Sequence, residues 1–557
     1  MFSIILNSFL IVLLFTPLGL FLSNKNKINL DYFSSQLVYG LVILSFLALF
    51  LNFFFPLNKN LNTLVLIIPL ILLIYKKDIY FNLQFLIFLI CSTLVTSLLI
   101  LESDIYRPDA GLYHLPYIKI LNDEKIIFGL SNLHFRYAHI SIMQYLAAIS
   151  NNLLFKDNGI VFAQALVASA VLINFLYKIY TYNKNKEYNF HFFYLLGTLI
   201  FISYKMNRYG EYGNDAPSHF LFFFLISQII ILKKDLVKDI SNNLILIGFI
   251  IFNKITLLMC LLLGFIYLNK NNVLKILKLK RFYFLTFFTL LWILKNIIVS
   301  GCILYPVKSL CFKDLLWSNI KAVEKVSIEN EAWTKGWPDY AKILDREKIS
   351  QKEYSKNFFW LPYWSGGHLK KIINILAPYC LFLLLLAFYI KTKNQTVNNI
   401  KIDKKYFYLI SIMFLASLFW FIKVPVFRYG YSYIISLISL LFAYICTKHF
   451  YNLQKKINKF INFLLIFCIS IIVSKNVIRI LKTDNNYYNH PWPKYFAMNQ
   501  DNIDVGNKKI IINKKKFFEP KLNGYCMFSN SPCGHPSINK DLKLITINKY
   551  NILYLVN

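Results

Sequence analysis

Residue types capable of chemistry gather in four polar segments of this chain, each bordered by apolar sequence. The first reads Glu102-Ser-Asp104-Ile-Tyr-Arg107-Pro-Asp109-Ala-Gly-Leu-Tyr-His114. Pro108 disfavours helix at Arg107, while Ala110 to Tyr113 can begin one. Asp109 then stands near a helix N-terminus, where the peptide dipoles favour an ionised carboxylate. Such a carboxylate at a membrane face suits a general base acting on a hydroxyl; the plainer reading is an N-cap on a surface helix. The stretch continues through Asn122, Asp123, Glu124, His134, Arg136 and His139. The two histidines are five positions apart and do not share a helical face, so solvated histidines are expected ahead of a metal pair. Residues 141–155 are only weakly apolar and are expected to lie along an interface.

The second segment, Asn207-Arg208-Tyr-Gly-Glu211-Tyr-Gly-Asn-Asp215-Ala-Pro-Ser-His219, carries more Gly, Asn and Asp than a simple turn requires. It reads either as a charged hairpin or as a site in which Glu211 and Asp215 hold sugar hydroxyls or a divalent cation. The sequence does not require that cation. The third, 301–372, sets Trp333-Thr-Lys-Gly-Trp337 and Trp360-Leu-Pro-Tyr-Trp364-Ser-Gly-Gly-His368 among Pro and Gly. Rings so placed stack on sugar faces or anchor at lipid headgroups. In the fourth, Trp420-Phe-Ile-Lys-Val-Pro-Val-Phe-Arg428-Tyr-Gly, an arginine opens an apolar helix. A charge at that depth is costly and is paired, functional or snorkelling to the interface.

The elements that must position these segments are apolar. Of 557 residues 57% are hydrophobic and 16% charged, against roughly 25% charged in a soluble domain. Apolar runs recur near 3–22, 34–56, 61–75, 80–101, 159–181, 191–204, 217–233, 242–252, 254–268, 282–300, 373–390, 406–422, 429–447 and 460–474. Runs of this length match a bilayer better than a globular core. The expectation is an all-α polytopic membrane protein of about 12–14 transmembrane helices, with a membrane domain over 1–475 and a small C-terminal domain over 476–557. No small-residue cleavage site follows Phe21, so the first run is kept as a helix.

Taken at alternate connections, the lysine clusters from Lys25/Lys27 to Lys448–Lys459 fall on one side, which makes that side cytoplasmic. Loops 102–158, 205–216 and 301–372 and the tail then face outward. The net charge of +34, from 61 Lys and Arg against 27 Asp and Glu, is therefore a topological signal over a Lys-rich composition. It does not call for nucleic acid, because the basic residues sit in short clusters between apolar runs. Arginine is used differently: Arg107, Arg136, Arg208, Arg346, Arg428 and Arg479 fall outside, and only Arg281 inside. A guanidinium offers a planar fork for phosphate that an ammonium cannot copy. Cys302 and Cys311 share an outer loop, and Cys526 and Cys533 share the tail. Both pairs are spaced to close small disulfide loops in an oxidising compartment or to remain as thiols. No Walker loop, GxSxG elbow, HExxH helix or dinucleotide fingerprint is present, so ATP hydrolysis and the familiar soluble chemistries lack support.

An acidic outer loop after an early helix, many spans, aromatic-rich loops and an outer tail resemble the GT-C superfamily of membrane glycosyltransferases. Arg107-Pro-Asp109-Ala-Gly-Leu-Tyr-His114, Arg208-Tyr-Gly-Glu211-Tyr-Gly-Asn-Asp215 and Val-Phe-Arg428-Tyr-Gly look like a poorly characterised bacterial branch of it. The resemblance implies a GT-C-like fold in a bacterial inner membrane, with the active side facing the periplasm or exterior. It also implies a polyprenyl-phosphate sugar donor, a glycan or lipid acceptor, and Asp109 as the acid/base. Here the acidic loop follows about the fourth helix, whereas in the superfamily it usually follows the first. Arg107, His114, Arg208, Glu211, Asp215, Trp333, Trp337, Trp364, His368 and Arg428 are the candidate substrate-binding residues. An O-antigen polymerase or ligase, working through Arg and His, is the alternative enzyme. A lipid-linked sugar flippase is a third reading, but it needs charges at mid-membrane, where the spans hold few.

Overall fold

A computed structural model describes residues 2–23, 28–101, 109–139, 141–206, 215–232, 237–266, 270–343, 349–392, 403–449, 455–481, 507–520, 525–534 and 537–556. Among these, nine helices are long and apolar enough to cross a membrane. They are Phe2–Phe21, Leu30–Asn52, Leu83–Ile100, Gly159–Asn185, Lys280–Ser300, Leu361–Thr392, Lys404–Lys423, Phe427–Thr447 and Asn458–Leu481. The architecture is all-α and polytopic. The expected 12–14 spans exceed this number because Lys59–Tyr75, Phe190–Lys205, Asp215–Ile231 and Ile255–Gly264 are apolar but only 10–17 residues long.

The asparagines that crowd the loops start these helices. Asn29, Asn58, Asn82 and Asn189 each accept, through Oδ1, the backbone N–H three residues on, at 2.9–3.0 Å. Each bond satisfies one N–H that the first helical turn leaves without a partner. Helix Gly159–Asn185 is the almost wholly buried centre of the bundle. Its Ala163, Ala165, Ala168, Ser169 and Ala170 are fully buried, and small side chains let neighbouring helices approach closely. Ser169 and Ser92 of helix Leu83–Ile100 join there, Oγ to Oγ, at 2.8 Å. Helix Leu361–Thr392, by contrast, exposes Leu381, Leu384, Leu385 and Phe388. A continuous apolar face of that kind fits lipid and not water.

Loops that charge alternation assigns to one side do meet. At one end Lys178 pairs with Asp31 (3.1 Å), Asn183 donates to Asn458 (2.9 Å), Lys405 Nζ donates to the Ile230 carbonyl (2.7 Å) and Arg281 to that of Lys238 (3.1 Å). At the other, Asn132 Nδ2 donates to the Trp317 carbonyl (2.9 Å), Lys515 pairs with Glu124 (2.6 Å) and Arg479 donates to the Leu101 carbonyl (2.6 Å).

Two expectations change. Helix Ile142–Ser150, within the stretch expected at an interface, is buried along its whole length, packed against Gly159–Asn185 and Leu30–Asn52. The expected boundary after residue 475 falls inside helix Lys455–Leu481. Beyond it the tail forms two antiparallel hairpins, β1 (Asn507–Ile512) with β2 (Lys515–Pro520) and β3 (Leu542–Ile547) with β4 (Tyr550–Leu555). Both turn on Asn-Lys pairs, Asn513-Lys514 and Asn548-Lys549, with positive φ at both residues, as a two-residue hairpin turn demands. The tail docks on the segment after Asp109: Phe128 N–H donates to the Asn551 carbonyl, and Leu553 N–H donates to the Phe128 carbonyl, both at 2.9 Å.

Candidate active site

Asp109 precedes a wide turn, Ala110–His114, which runs into helix Leu115–Asp123. The Leu115 N–H reaches back five residues to the Ala110 carbonyl, a π-type bond. The Asp109 side chain makes no capping bond there, so the carboxylate is not spent on the helix start. Oδ1 instead receives Arg136 Nη1 at 2.6 Å, and both side chains stay more than one third exposed, 39% and 37%. The Arg136 guanidinium also lies 5.0 Å from the centre of the Tyr113 ring. Its backbone N–H is held by His134 Nδ1 at 3.1 Å. His134 is buried, not solvated as the sequence reading expected, because it stacks on Phe135 and packs against Tyr137.

A second charged group adjoins the first. Asp215 opens helix Asp215–Ile231, with Oδ1 paired to Lys254 Nζ and Oδ2 3.4 Å from Arg428 Nε. Lys254 is only 11% exposed and places its ammonium 3.9 Å above the Tyr429 ring. Asp109 lies within electrostatic reach of both Lys254 and Arg428, so the two ion-paired groups are neighbours. Burial first, then Asp109, push the Tyr113 phenol up, with Arg136 and Arg428 opposing. Tyr113 therefore stays a neutral phenol.

A buried polar chain ties these segments together. Gln144 Oε1 accepts the Ser141 backbone N–H at 3.1 Å, which turns its amide nitrogen toward His114 Nδ1 at 2.7 Å. Nδ1 is then an acceptor and the proton sits on Nε2. Burial pushes His114 down to about 3, opposed by Asp109 and reinforced by Arg136, Lys254 and Arg428. A buried, neutral His114 supports the turn from within and is not a charged surface ligand. From Ser141 the chain runs by Oγ to Asn253 Oδ1 (2.5 Å) and by Asn253 Nδ2 to Ser218 Oγ (2.7 Å), three residues beyond Asp215. His219 Nε2 donates to the Arg428 carbonyl at 2.7 Å, while Nδ1 accepts from Ser432 Oγ at 2.6 Å.

Of the sequence candidates, Asp109, His114, Asp215 and Arg428 come together. Arg107, Arg208 and Glu211 lie outside the described residues. The expected sugar-stacking role does not suit Trp364: it is buried, and its Nε1 donates to the Pro425 carbonyl at 2.7 Å. Trp420 Nε1 likewise donates to the Val426 carbonyl at 2.9 Å, so two indoles pin the turn that precedes Arg428. His368 stacks on Trp364, and Trp337 packs against Tyr340 and Tyr354, while Trp333 is 48% exposed. Cys302 is bonded to Cys311 and Cys526 to Cys533. Among the described residues no three His, Cys, Asp or Glu side chains are grouped to hold a metal, and both Asp215 oxygens already face cations.

Sequence reasoning left Arg136, Lys254, Tyr113 and Gln144 out of the site. Arg136 had a signal, as an outer arginine; Lys254 had a weaker one, since Asn253-Lys254 breaks an apolar run. Tyr113 and Gln144 had none.

Residues 1–435 match the family described as Domain of unknown function (DUF8201), and the chain belongs to that family. No curated protein and no solved structure matches the chain. The matched span holds Asp109, Arg136, Asp215, Lys254 and Arg428; the tail lies beyond it.

Proposed function

We propose that this protein is a GT-C-type glycosyltransferase of a bacterial inner membrane, moving a sugar from a polyprenyl-phosphate donor to an envelope glycan or lipid acceptor on the outer face. One observation carries the reading: a partly exposed carboxylate, Asp109, is bonded to Arg136 and neighbours Lys254 and Arg428, which pair with Asp215, so that groups from four parts of the chain gather at one end of the bundle. Transfer to a hydroxyl needs a base for the proton and cations for the departing phosphate. Asp109 takes the acceptor hydroxyl proton, and the acceptor oxygen bonds to the anomeric carbon. The bond from that carbon to the phosphate oxygen breaks, and its electron pair stays with the phosphate. Arg428 and Lys254 offset that charge from fixed positions, a preorganised electrostatic contribution. Arg136 orients the carboxylate. Arg428 stands at the end of a helix long and apolar enough to cross a membrane, a position that suits the phosphate of a lipid-borne donor.

Purified protein incubated with a panel of polyprenyl-phosphate sugars and candidate acceptors tests this, the readout being released lipid phosphate. Release by the wild type and its loss in Asp109→Asn are expected. Undiminished transfer by a folded Asp109→Asn would sink the assignment. If Asp109→Asn retains activity while Arg136→Lys or Arg428→Lys loses it, the arginine-dependent polymerase or ligase reading takes its place.

A further inference from the structure

We propose that the disulfide-closed tail loop Cys526–Cys533 is a positioning element of the Asp109–Arg136 pair; its catalytic consequence, though not its structural one, rests on the glycosyl-transfer reading. In an α-helix the Gly111 carbonyl would accept the Leu115 N–H. Here that N–H goes to Ala110 instead. The next residue in register for Gly111 is Pro116, which has no N–H. The freed Gly111 carbonyl accepts the Met527 N–H from the tail loop at 2.9 Å.

The fit around this bond is close. A Cβ on Gly111 would collide with Met527 Sδ and stand 2.9 Å from Tyr525 Cβ, so position 111 admits glycine because of the tail. Met527 holds a left-handed backbone, φ 53°, which an L side chain rarely adopts without tertiary support. At the other end of the loop the Cys533 carbonyl accepts the Tyr137 hydroxyl at 2.5 Å. The loop thus grips Gly111, two residues after Asp109, and Tyr137, one residue after Arg136. Cys526 and Cys533 are both buried, and the loop is tied to β2 by the Phe518 N–H to the Pro532 carbonyl and the Gly534 N–H to the Phe518 carbonyl, each 2.9 Å. One closed loop sets the spacing of the segments that supply the carboxylate and its guanidinium.

The test compares the wild type, Cys526→Ala/Cys533→Ala and Gly111→Ala as full-length protein in detergent, by hydrogen–deuterium exchange and by transfer kinetics with polyprenyl-phosphate sugars. In both variants the amides of 110–115 are expected to exchange at least about tenfold faster, with Gly159–Asn185 unchanged. Transfer, normalised to the folded fraction read by size-exclusion chromatography, should show kcat reduced about tenfold or more and KM within about twofold, the normalisation separating a misplaced carboxylate from general loss of folded protein. Gly111→Ala keeps the disulfide and poses the same question if the cysteine variant fails to fold. Unchanged exchange at 110–115 in a folded variant overturns the proposal. Exchange needs no substrate, so absence of transfer by the wild type would count against the glycosyl-transfer reading alone.

Discussion

Arg136 Nη1 lies 2.6 Å from Asp109 Oδ1, and the two residues come from different turns of one polar segment, 27 positions apart. A charge-assisted bond of this length holds the carboxylate in one orientation. Both groups are more than one third exposed, so the pair orients the site more than it stabilises the fold. Arg136→Lys should leave the thermal midpoint within a few degrees of wild type and reduce transfer about tenfold or more, because an ammonium cannot reproduce the planar fork. Thermal unfolding in detergent alongside initial rates checks both halves. Asp109→Asn should cost about 10²–10⁴ in kcat, the range for losing a general base.

Arg428 and Lys254 face opposite oxygens of Asp215. If they offset charge on a leaving phosphate, removing either should lower kcat by about 10²–10³. Lys254→Met retains the aliphatic stem within its buried setting, and single-turnover release of lipid phosphate separates a chemical defect from a binding one. Rates equal to wild type would remove Lys254 from the chemistry.

The turn before Arg428 depends on two indole N–H groups. Trp364→Phe keeps an aromatic ring but deletes the donor to the Pro425 carbonyl, at a cost of about 1–3 kcal/mol for an orphaned buried acceptor. Gly430→Ala would set a Cβ 2.7 Å from the Trp420 ring, and overpacking of that kind costs about 1–3 kcal/mol. Both variants should lower the thermal midpoint and weaken transfer; a wild-type midpoint in Gly430→Ala would show that the indole yields without cost.

Acid should destabilise the protein through His114. Its imidazole stays neutral in the folded state down to about 3, whereas the ordinary value is 6.5. Its contribution is complete above about pH 6.5 and is lost as pH falls toward 3, since only the unfolded chain then binds the proton. Near pH 5 the loss is about 2 kcal/mol. The thermal midpoint should drop between pH 7 and 5 less steeply in His114→Gln than in wild type. Equal slopes would show that His114 takes up its proton while folded.

Sequence alone determined that this chain is helical and polytopic, and sorted its loops into two sets. Both properties are local: the length of an apolar run and the charge of the loop after it need no knowledge of neighbours. The same locality singled out Asp109 and Arg428, by a proline beside one and an apolar helix behind the other. Which polar groups meet was decided by packing. Lys254 pairs with Asp215 across 39 positions, Tyr137 reaches Cys533 across 396, and neither separation has a signature in either segment. Trp364 reads in the sequence as a sugar platform or a headgroup anchor because an exposed indole and a buried one are the same letter, and only tertiary contact shows where the N–H points. The turn after Asp109 holds both kinds of information: Gly111 and Pro116 are legible as helix irregularities, but the tail that answers them lies more than 400 residues away.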